Sequence, residues 1–271
     1  MMTARERLNQ FFSSSPIYAK KSLGQNFLIS DQAIEKMIKK LISTQCQNIV
    51  EIGPGPGALT DIILELKLNY QAIELDKEFA NYWLEKNVTI HNQDALQFDW
   101  TPITALEKCV LISNLPYQIS SSIVIDRSTD EKLLSYMILM FQKEVAQKIR
   151  ASSGSSDFSL LSLIAQTFWT IETLHDLGPR DFLPAPKVSS RVLFFRSKPN
   201  GIKDKKKYLG FCKSAFRQKR KLLKSNLLPY TQLSEEALVS IFQELGLKAT
   251  ARAEELSVET FVNLYHKLGF I

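Results

Sequence analysis

Asn114-Leu115-Pro116-Tyr117 is the tetrapeptide with the most chemical content in this chain. It follows Val110-Leu111-Ile112-Ser113, a short apolar run with the make-up of a buried strand. The amide oxygen of Asn114 and the backbone carbonyl of Leu115 are two hydrogen-bond acceptors. Pro116 stiffens the turn and brings no N–H to compete, and Tyr117 offers an aromatic face. An amino group on an aromatic ring needs this set, because its lone pair is delocalised and it is a poor nucleophile. Two acceptors can take its N–H hydrogens and bend the nitrogen towards tetrahedral geometry, which frees the lone pair. The tyrosine ring would then stack on a base withdrawn from its helix. The implied reaction is in-line attack of such an amine on an electrophile, driven mainly by alignment. A proline turn that merely closes a strand is the plain structural alternative.

A second constellation is Glu51-Ile52-Gly53-Pro54-Gly55-Pro56-Gly57-Ala58-Leu59-Thr60, between an apolar run and a helical pattern. Glycines there permit close approach of a ligand to the backbone, which marks a cofactor site at the carboxyl edge of an open sheet. The spacing is G-x-G-x-G, not the G-x-G-x-x-G of dinucleotide enzymes. Glu51, at the end of the preceding strand, would repel a pyrophosphate and suits a cationic amino-acid ligand, with Gly53 and Gly55 offering their backbone. Glu74 closes the next strand in Ala72-Ile73-Glu74-Leu75-Asp76. A carboxylate there can accept both hydroxyls of a ribose, which either NAD or S-adenosyl-L-methionine could use. Asp94 follows a third strand, placed to accept from an adenine amino group. Taken singly these carboxylates read as solvated loop residues; their placement after successive strands favours a ligand.

Such groups need a sheet to hold them. Residues 31–42 put Ala33, Ile34, Met37, Ile38, Leu41 and Ile42 at helical spacing, with Asp31 as N-cap. Strands are expected at 48–52, 70–75, 88–91, 110–113 and 135–141. Helices are expected between them at 59–68 and 77–85, and after them at 142–150. That alternation argues for an α/β layer with a mostly parallel sheet. Residues 151–156 read as a loop and 188–196 as a late strand, while 1–22 look like a polar, basic surface arm. After Pro199-Asn200-Gly201 the pattern is helical to the end. Two domains are therefore expected, a catalytic one over 1–200 and a small all-α one over 201–271.

The composition fits a cytoplasmic globular protein. Of 271 residues 45% are hydrophobic and 23% charged, values that exclude wholesale disorder. Lys and Arg number 34 against 28 acidic residues, a net charge of +6, and the isoelectric point is near 9.1. A basic surface attracts phosphate backbones. Cys46, Cys109 and Cys212 are far apart, as are His91, His175 and His266, so neither a disulfide framework nor a metal site is expected. No apolar stretch approaches the ~20 residues of a membrane span, and no secretory signal is expected.

In order along the chain, the segments resemble the KsgA-type dimethyladenosine transferases of small-subunit rRNA, relatives of the Erm resistance methylases. Residues 21–28 (KSLGQNFL), the glycine loop, Ile73–Asp76, Asp94-Ala95-Leu96 and Asn114–Tyr117 carry the resemblance in the α/β part. FQKEVA at 141–146, FLPAPKV at 182–188, FRQKRKLLKSNL at 216–227 and RAEEL at 252–256 carry it further. It implies a Rossmann-like class I methyltransferase sheet with helices on both faces and a small all-α C-terminal domain. It further implies that Asn26, Leu28, Gly53, Glu74, Asp94 and Asn114 contact S-adenosyl-L-methionine, which leaves as S-adenosyl-L-homocysteine. Asn114, Leu115 and Tyr117 would also handle the target adenine. The implied act is transfer of two methyls to each of two adjacent adenosines in a hairpin near the 3′ end of 16S rRNA. The partner would be a small-subunit precursor late in assembly, and the protein is expected to be a monomer. An Erm-type enzyme acting on 23S rRNA is the alternative. The chain departs from the family pattern at Ser159-Leu160-Leu161-Ser162, at Ser189 and at Arg191.

Between Lys203 and Lys224 lie ten basic residues and one acid, Asp204. Phe211 and Phe216 give the stretch an apolar face, so an anchored helix with a cationic surface is expected. Lys213, Arg217, Lys219, Arg220, Lys221 and Lys224 are the candidates for phosphate contact, with Lys20 and Lys21 extending the same surface. A solvated charge run is the bland alternative.

Overall fold

The computed structural model describes residues 2–20 and 23–269. The chain opens with α1 (Ala4–Ser14), a two-residue strand β1 (Phe27–Leu28) and α2 (Asp31–Ser43). Alternation then runs through β2 (Asn48–Ile52), α3 (Thr60–Glu65), β3 (Asn69–Ile73), α4 (Lys77–Glu85) and β4 (Ile90–His91). It continues with α5 (Thr101–Ala105), β5 (Cys109–Ser113), α6 (Ser120–Thr129), β6 (Tyr136–Gln142) and α7 (Lys143–Ile149). Next come α8 (Leu160–Phe168), β7 (Trp169–Leu177), β8 (Phe182–Leu183) and β9 (Ser190–Ser197). Four further helices complete the chain: α9 (Lys205–Ala215), α10 (Leu223–Thr231), α11 (Glu235–Glu244) and α12 (Val258–Lys267).

Seven strands form one sheet in the order β4-β3-β2-β5-β6-β9-β7. The pairings β3–β4, β2–β3, β2–β5 and β5–β6 are parallel, and β9 returns antiparallel to β6. Buried parallel strands need apolar side chains on both faces. β5 accordingly buries all five of Cys109–Ser113. On one face Ile49, Ala72, Val110 and Ile112 pack with Ile34, Met37 and Leu41 of α2 and Ile63 of α3. Val50 and Leu111 point the opposite way by the strand's alternation and are wholly buried too. The expected α/β fold with a covered, mainly parallel sheet is the observed one.

The chain divides into two compact units. The first comprises residues 1–123, 132–146 and 171–197 and holds the sheet. The second takes in 124–131 and 147–170 as well as everything from Lys198 onward. Aromatic packing builds its core: the Tyr208 and Tyr265 rings meet edge-on at 5.0 Å, and Phe216 stacks on Phe261 at 5.7 Å. Within this unit Trp169 donates its indole N–H to Ser128 Oγ at 2.8 Å. The free thiols Cys46 and Cys109 lie in the first unit and Cys212 in the second, all buried. Burial pushes the Cys109 thiol up to about 12 and raises that of Cys212.

Three expectations need correction. Residues 4–14 are a helix, not a surface arm: Ala4, Leu8 and Phe11 form a buried stripe, and a Thr3–Glu6 capping box starts it. Phe11 packs on Phe79 and Tyr82 of α4, at 5.8 and 4.8 Å between ring centres. Ser30, not Asp31, is the N-cap of α2; Asp31 Oδ1 instead accepts the Ala4 N–H at 2.8 Å. The basic run is not one helix. α9 ends at Ala215, and Arg217 to Lys221 form the turn that leads to α10.

Candidate active site

Parallel strands place their carboxyl ends on one edge, and four of them end beside one cavity. β2 ends at Ile52 before Gly53, β3 at Ile73 before Glu74, and β4 three residues before Asp94. β5 ends at Ser113 before Asn114. The cavity measures about 260 Å³, near the lower end of small-molecule sites at ~300–1,000 Å³. Asn26, Leu28, Glu51, Gly53, Gly55, Glu74, Asp94, Asn114, Leu115, Pro116 and Tyr117 all line it. The structure therefore brings together all eleven cavity residues singled out in the sequence.

Each is held in a definite way. Gly53 and Gly55 have φ of +67° and +49°, and the Gly53 N–H donates to the Ile73 carbonyl at 2.9 Å. A Cβ built on Gly53 would meet nothing within 4 Å, so open space borders its backbone. The Trp83 indole N–H donates to the Gly55 carbonyl at 2.8 Å and braces the loop from α4. Glu74 is 6% exposed; its Oε2 accepts the Gly55 N–H at 3.2 Å and its Oε1 the Asp76 N–H at 2.8 Å. Burial outweighs these bonds and raises its carboxyl to about 7. Asp94 Oδ1 accepts the Leu96 N–H at 2.9 Å.

Glu51 sits deeper than its sequence position implies. Its Oε2 accepts hydroxyl hydrogens from both Tyr70, at 2.7 Å, and Thr60, at 2.8 Å. Burial again dominates and lifts its carboxyl to about 7 despite those two donors. Among the described residues no Lys or Arg lines the cavity, while three carboxylates do. Among these described residues the site is thus built for a ligand with cationic or hydrogen-bond-donating groups.

The turn after β5 is oriented from outside. Asn114 Nδ2 donates to the Asn26 carbonyl at 3.0 Å. A carbonyl only accepts, so the NH2 of the amide must face it, and Oδ1 is left as the acceptor of the side chain. The Ser113 hydroxyl donates to the Ile52 carbonyl at 2.5 Å and ties this turn to the glycine loop. Tyr117 shares a hydrogen bond of 2.7 Å with Ser190 Oγ, which fixes its ring, and burial raises its phenol.

Of the 21–28 segment, the resemblance implied contacts for Asn26 and Leu28 alone. Leu23, Gly24, Gln25 and Phe27 line the cavity beside Asn26 and Leu28. β1 is positioned by antiparallel pairing with β8, Phe27 opposite Leu183 and Leu28 opposite Phe182. Gly24 has φ +63°, and a Cβ there would lie 2.5 Å from the Gln118 side chain. The left-handed backbone is what favours glycine here, since the Gln118 side-chain end could move aside. A two-residue strand leaves no periodicity to detect.

The basic candidates scatter in role. Lys213, Arg217, Arg220 and Lys221 are exposed in the second unit. Lys219 donates to the Ser156 carbonyl at 2.6 Å, and Lys224 pairs with Glu235. Lys20 is paired within the first unit: its ammonium lies 2.7 Å from Asp76 and 2.9 Å from Glu78. Lys21 lies outside the described residues. Arg191 holds Asp176 through two bonds, at 2.5 and 2.8 Å, and Lys143 adds a third at 3.0 Å. Together they keep the Asp176 carboxyl far below its usual range. Among the described residues no cluster of His, Cys, Asp or Glu could hold a metal ion.

The model of the ribosomal RNA adenine dimethylase family matches residues 18–269. A ribosomal RNA small subunit methyltransferase A of Bdellovibrio bacteriovorus is 53% identical over 273 residues, covering 100% of both chains. The protein of the same name in Acidobacterium capsulatum is 36% identical, covering 92% of this chain and 91% of its own. Among solved structures, a dimethyladenosine transferase from Plasmodium falciparum superposes with a TM-score of 0.72 at 21% identity. It covers 90% of this chain and 98% of its own. The 23S rRNA methyltransferase ErmE superposes at 0.64, also at 21% identity, over 90% and 99%. At that identity the two structures speak for the fold alone.

Proposed function

The chain belongs to the ribosomal RNA adenine dimethylase family, and from this we propose that it methylates N6 of adenosines in small-subunit rRNA. It is an S-adenosyl-L-methionine-dependent methyltransferase, and when bound that donor supplies a methyl group made electrophilic by its sulfonium. The observation that carries the assignment of roles is the Asn114 amide, pinned by the Asn26 carbonyl with its oxygen as the remaining acceptor.

The residues divide the work. Glu74 holds the ribose hydroxyls of the donor, Asp94 its adenine amino group and Glu51 its ammonium end. Gly53 and Gly55 offer backbone, while Asn26 and Leu28 form the opposite wall. The open space at Gly53 and the three carboxylates fit such a cationic nucleoside. Asn114 Oδ1 and the Leu115 carbonyl accept the two N–H hydrogens of the target amine, Pro116 stiffens the turn, and Tyr117 stacks on the flipped base. Chemistry is assigned to residues 1–200 and RNA binding to 201–271, through Lys213, Arg217, Arg220 and Lys221. The bound donor would supply its methyl to the nitrogen lone pair that Asn114 and Leu115 expose, and the proton then lost from nitrogen would pass to solvent.

The names of the relatives favour the small subunit over the Erm-type alternative. The substrate is then two adjacent adenosines in a hairpin near the 3′ end of 16S rRNA, within a subunit precursor late in assembly. The enzyme would act as a monomer in the cytoplasm. No helix among the described residues is long and apolar enough to cross a membrane. The test is incubation with labelled donor and undermethylated small subunits, followed by mapping of modified bases. Dimethylation of neighbouring adenosines near the 3′ end is expected. No label in the small subunits, with label taken up by undermethylated large subunits treated in parallel, would overturn the reading.

A further inference from the structure

Asp76 is a carboxylate with no exposed side-chain surface, and it gathers partners from far along the chain. Lys20 Nζ donates to its Oδ1 at 2.7 Å, and Gln25 Nε2 to its Oδ2 at 3.0 Å. The Lys20 backbone N–H donates to Gln25 Oε1 at 2.7 Å, so the two residues also brace each other. On its other side Asp76 caps α4 through the Glu78 N–H at 3.1 Å, and its own N–H donates to Glu74 Oε1.

A helix cap alone does not call for this. Ser234 and Ser257 cap α11 and α12 with one hydroxyl each. The added partners come from a stretch that apolar burial does not secure. Ile17 and Phe27 are buried, but none of the described residues between them is, and Tyr18 is 70% exposed. This stretch is therefore held mainly by polar bonds. It ends in the cavity wall, and Asn26, next to Gln25, supplies the carbonyl that orients Asn114.

We infer that Lys20 and Gln25 are positioning residues, which through Asp76 fix the 23–26 wall of the donor cavity and with it the Asn26 carbonyl and the Asn114 amide. The inference rests on the proposed function for what the cavity holds, but the latch itself is independent of it. Lys20 is partly exposed, so salt screens its bond to Asp76.

The test uses the full chain with Lys20→Met, Lys20→Arg and Gln25→Ala, and Lys39→Met as control, since Lys39 only pairs with Glu35 on the surface. Amide hydrogen exchange is followed first without cofactor. Faster exchange at residues 23–28 is expected in Lys20→Met and Gln25→Ala, with the melting temperature nearly unchanged and Lys20→Arg close to the parent. Titration with S-adenosyl-L-homocysteine, which needs no turnover, should show binding weakened about tenfold in the same two variants, or about 1.4 kcal/mol. With RNA, kcat should fall while KM for RNA holds. Unchanged exchange at 23–28 overturns the inference, as does a Lys20→Arg variant as impaired as Lys20→Met. A parent protein that binds no homocysteine product, while exchange still responds to Lys20→Met, would overturn the donor assignment and leave the latch standing.

Discussion

Replacing Glu51 by Gln tests the electrostatics of the cavity floor. The amide keeps an oxygen for the Tyr70 and Thr60 hydroxyls but carries no charge. In the folded protein burial holds the Glu51 carboxyl at about 7, against an ordinary value of 4.5. Between those values the folded protein keeps a proton that the unfolded chain has released. The stability of the cofactor-free protein should therefore fall as pH rises through that window and level off above it. At about 1.36 kcal/mol per pH unit, the gap between 4.5 and about 7 corresponds to roughly 3 kcal/mol. Urea unfolding at pH 5 and pH 8 reads this directly. At pH 5 the parent and Glu51→Gln should be alike; at pH 8 the variant should be the more stable by up to about 3 kcal/mol. Two curves that run parallel across the range would refute the reasoning. A cationic donor reverses the sign, since ionised Glu51 then gains a partner, so donor binding by the parent should tighten from pH 6 to pH 8.

Other perturbations follow from the geometry. Asn114→Ala should slow methyl transfer by roughly 100- to 1,000-fold, the usual cost of removing one well-placed polar group, with RNA binding by filter assay unaffected. Tyr117→Phe, which keeps the ring but loses Ser190, should retain most activity, whereas Tyr117→Ala should not; equal rates would deny the ring its stacking role. Changing Lys213, Arg217, Arg220 and Lys221 to Ala should flatten the plot of log affinity against log salt by about 3, at ~0.7 per single-stranded phosphate. An unchanged slope would place the RNA elsewhere. Phe11→Ala should cost about 3 kcal/mol in urea unfolding, and a loss below about 1 kcal/mol would mean that α1 is not docked on α4.

The cavity was largely legible in the sequence because its parts are short-range. A parallel strand must end in a loop; Glu74 and Asn114 each follow an apolar run of a buried strand, while Asp94 follows the short, half-buried edge strand β4. Long-range features were not legible. α1 hides its stripe of Ala4, Leu8 and Phe11 among polar neighbours, and the stripe has meaning only once α4 offers Phe79 and Tyr82. β7 shows exposed and half-buried residues along most of its length, as an edge strand does, and so gives no clean alternation. Lys20 looked like one more surface cation because its partner, Asp76, lies 56 positions away. The basic run looked like one helix since Lys and Arg are good helix formers; the break at Phe216 comes where its ring stacks on Phe261.

The three sealed thiols give the molecule a built-in record of its own opening. A cysteine reacts as thiolate; burial denies all three access to solvent, and at Cys109 and Cys212 it also disfavours the thiolate. Alkylation under native conditions thus waits for the chain around each sulfur to come apart. Cys46 and Cys109 report on the sheet and Cys212 on the helices. A mass spectrum taken along a slow labelling course would therefore show which half yields first, and whether a bound donor delays one clock or both.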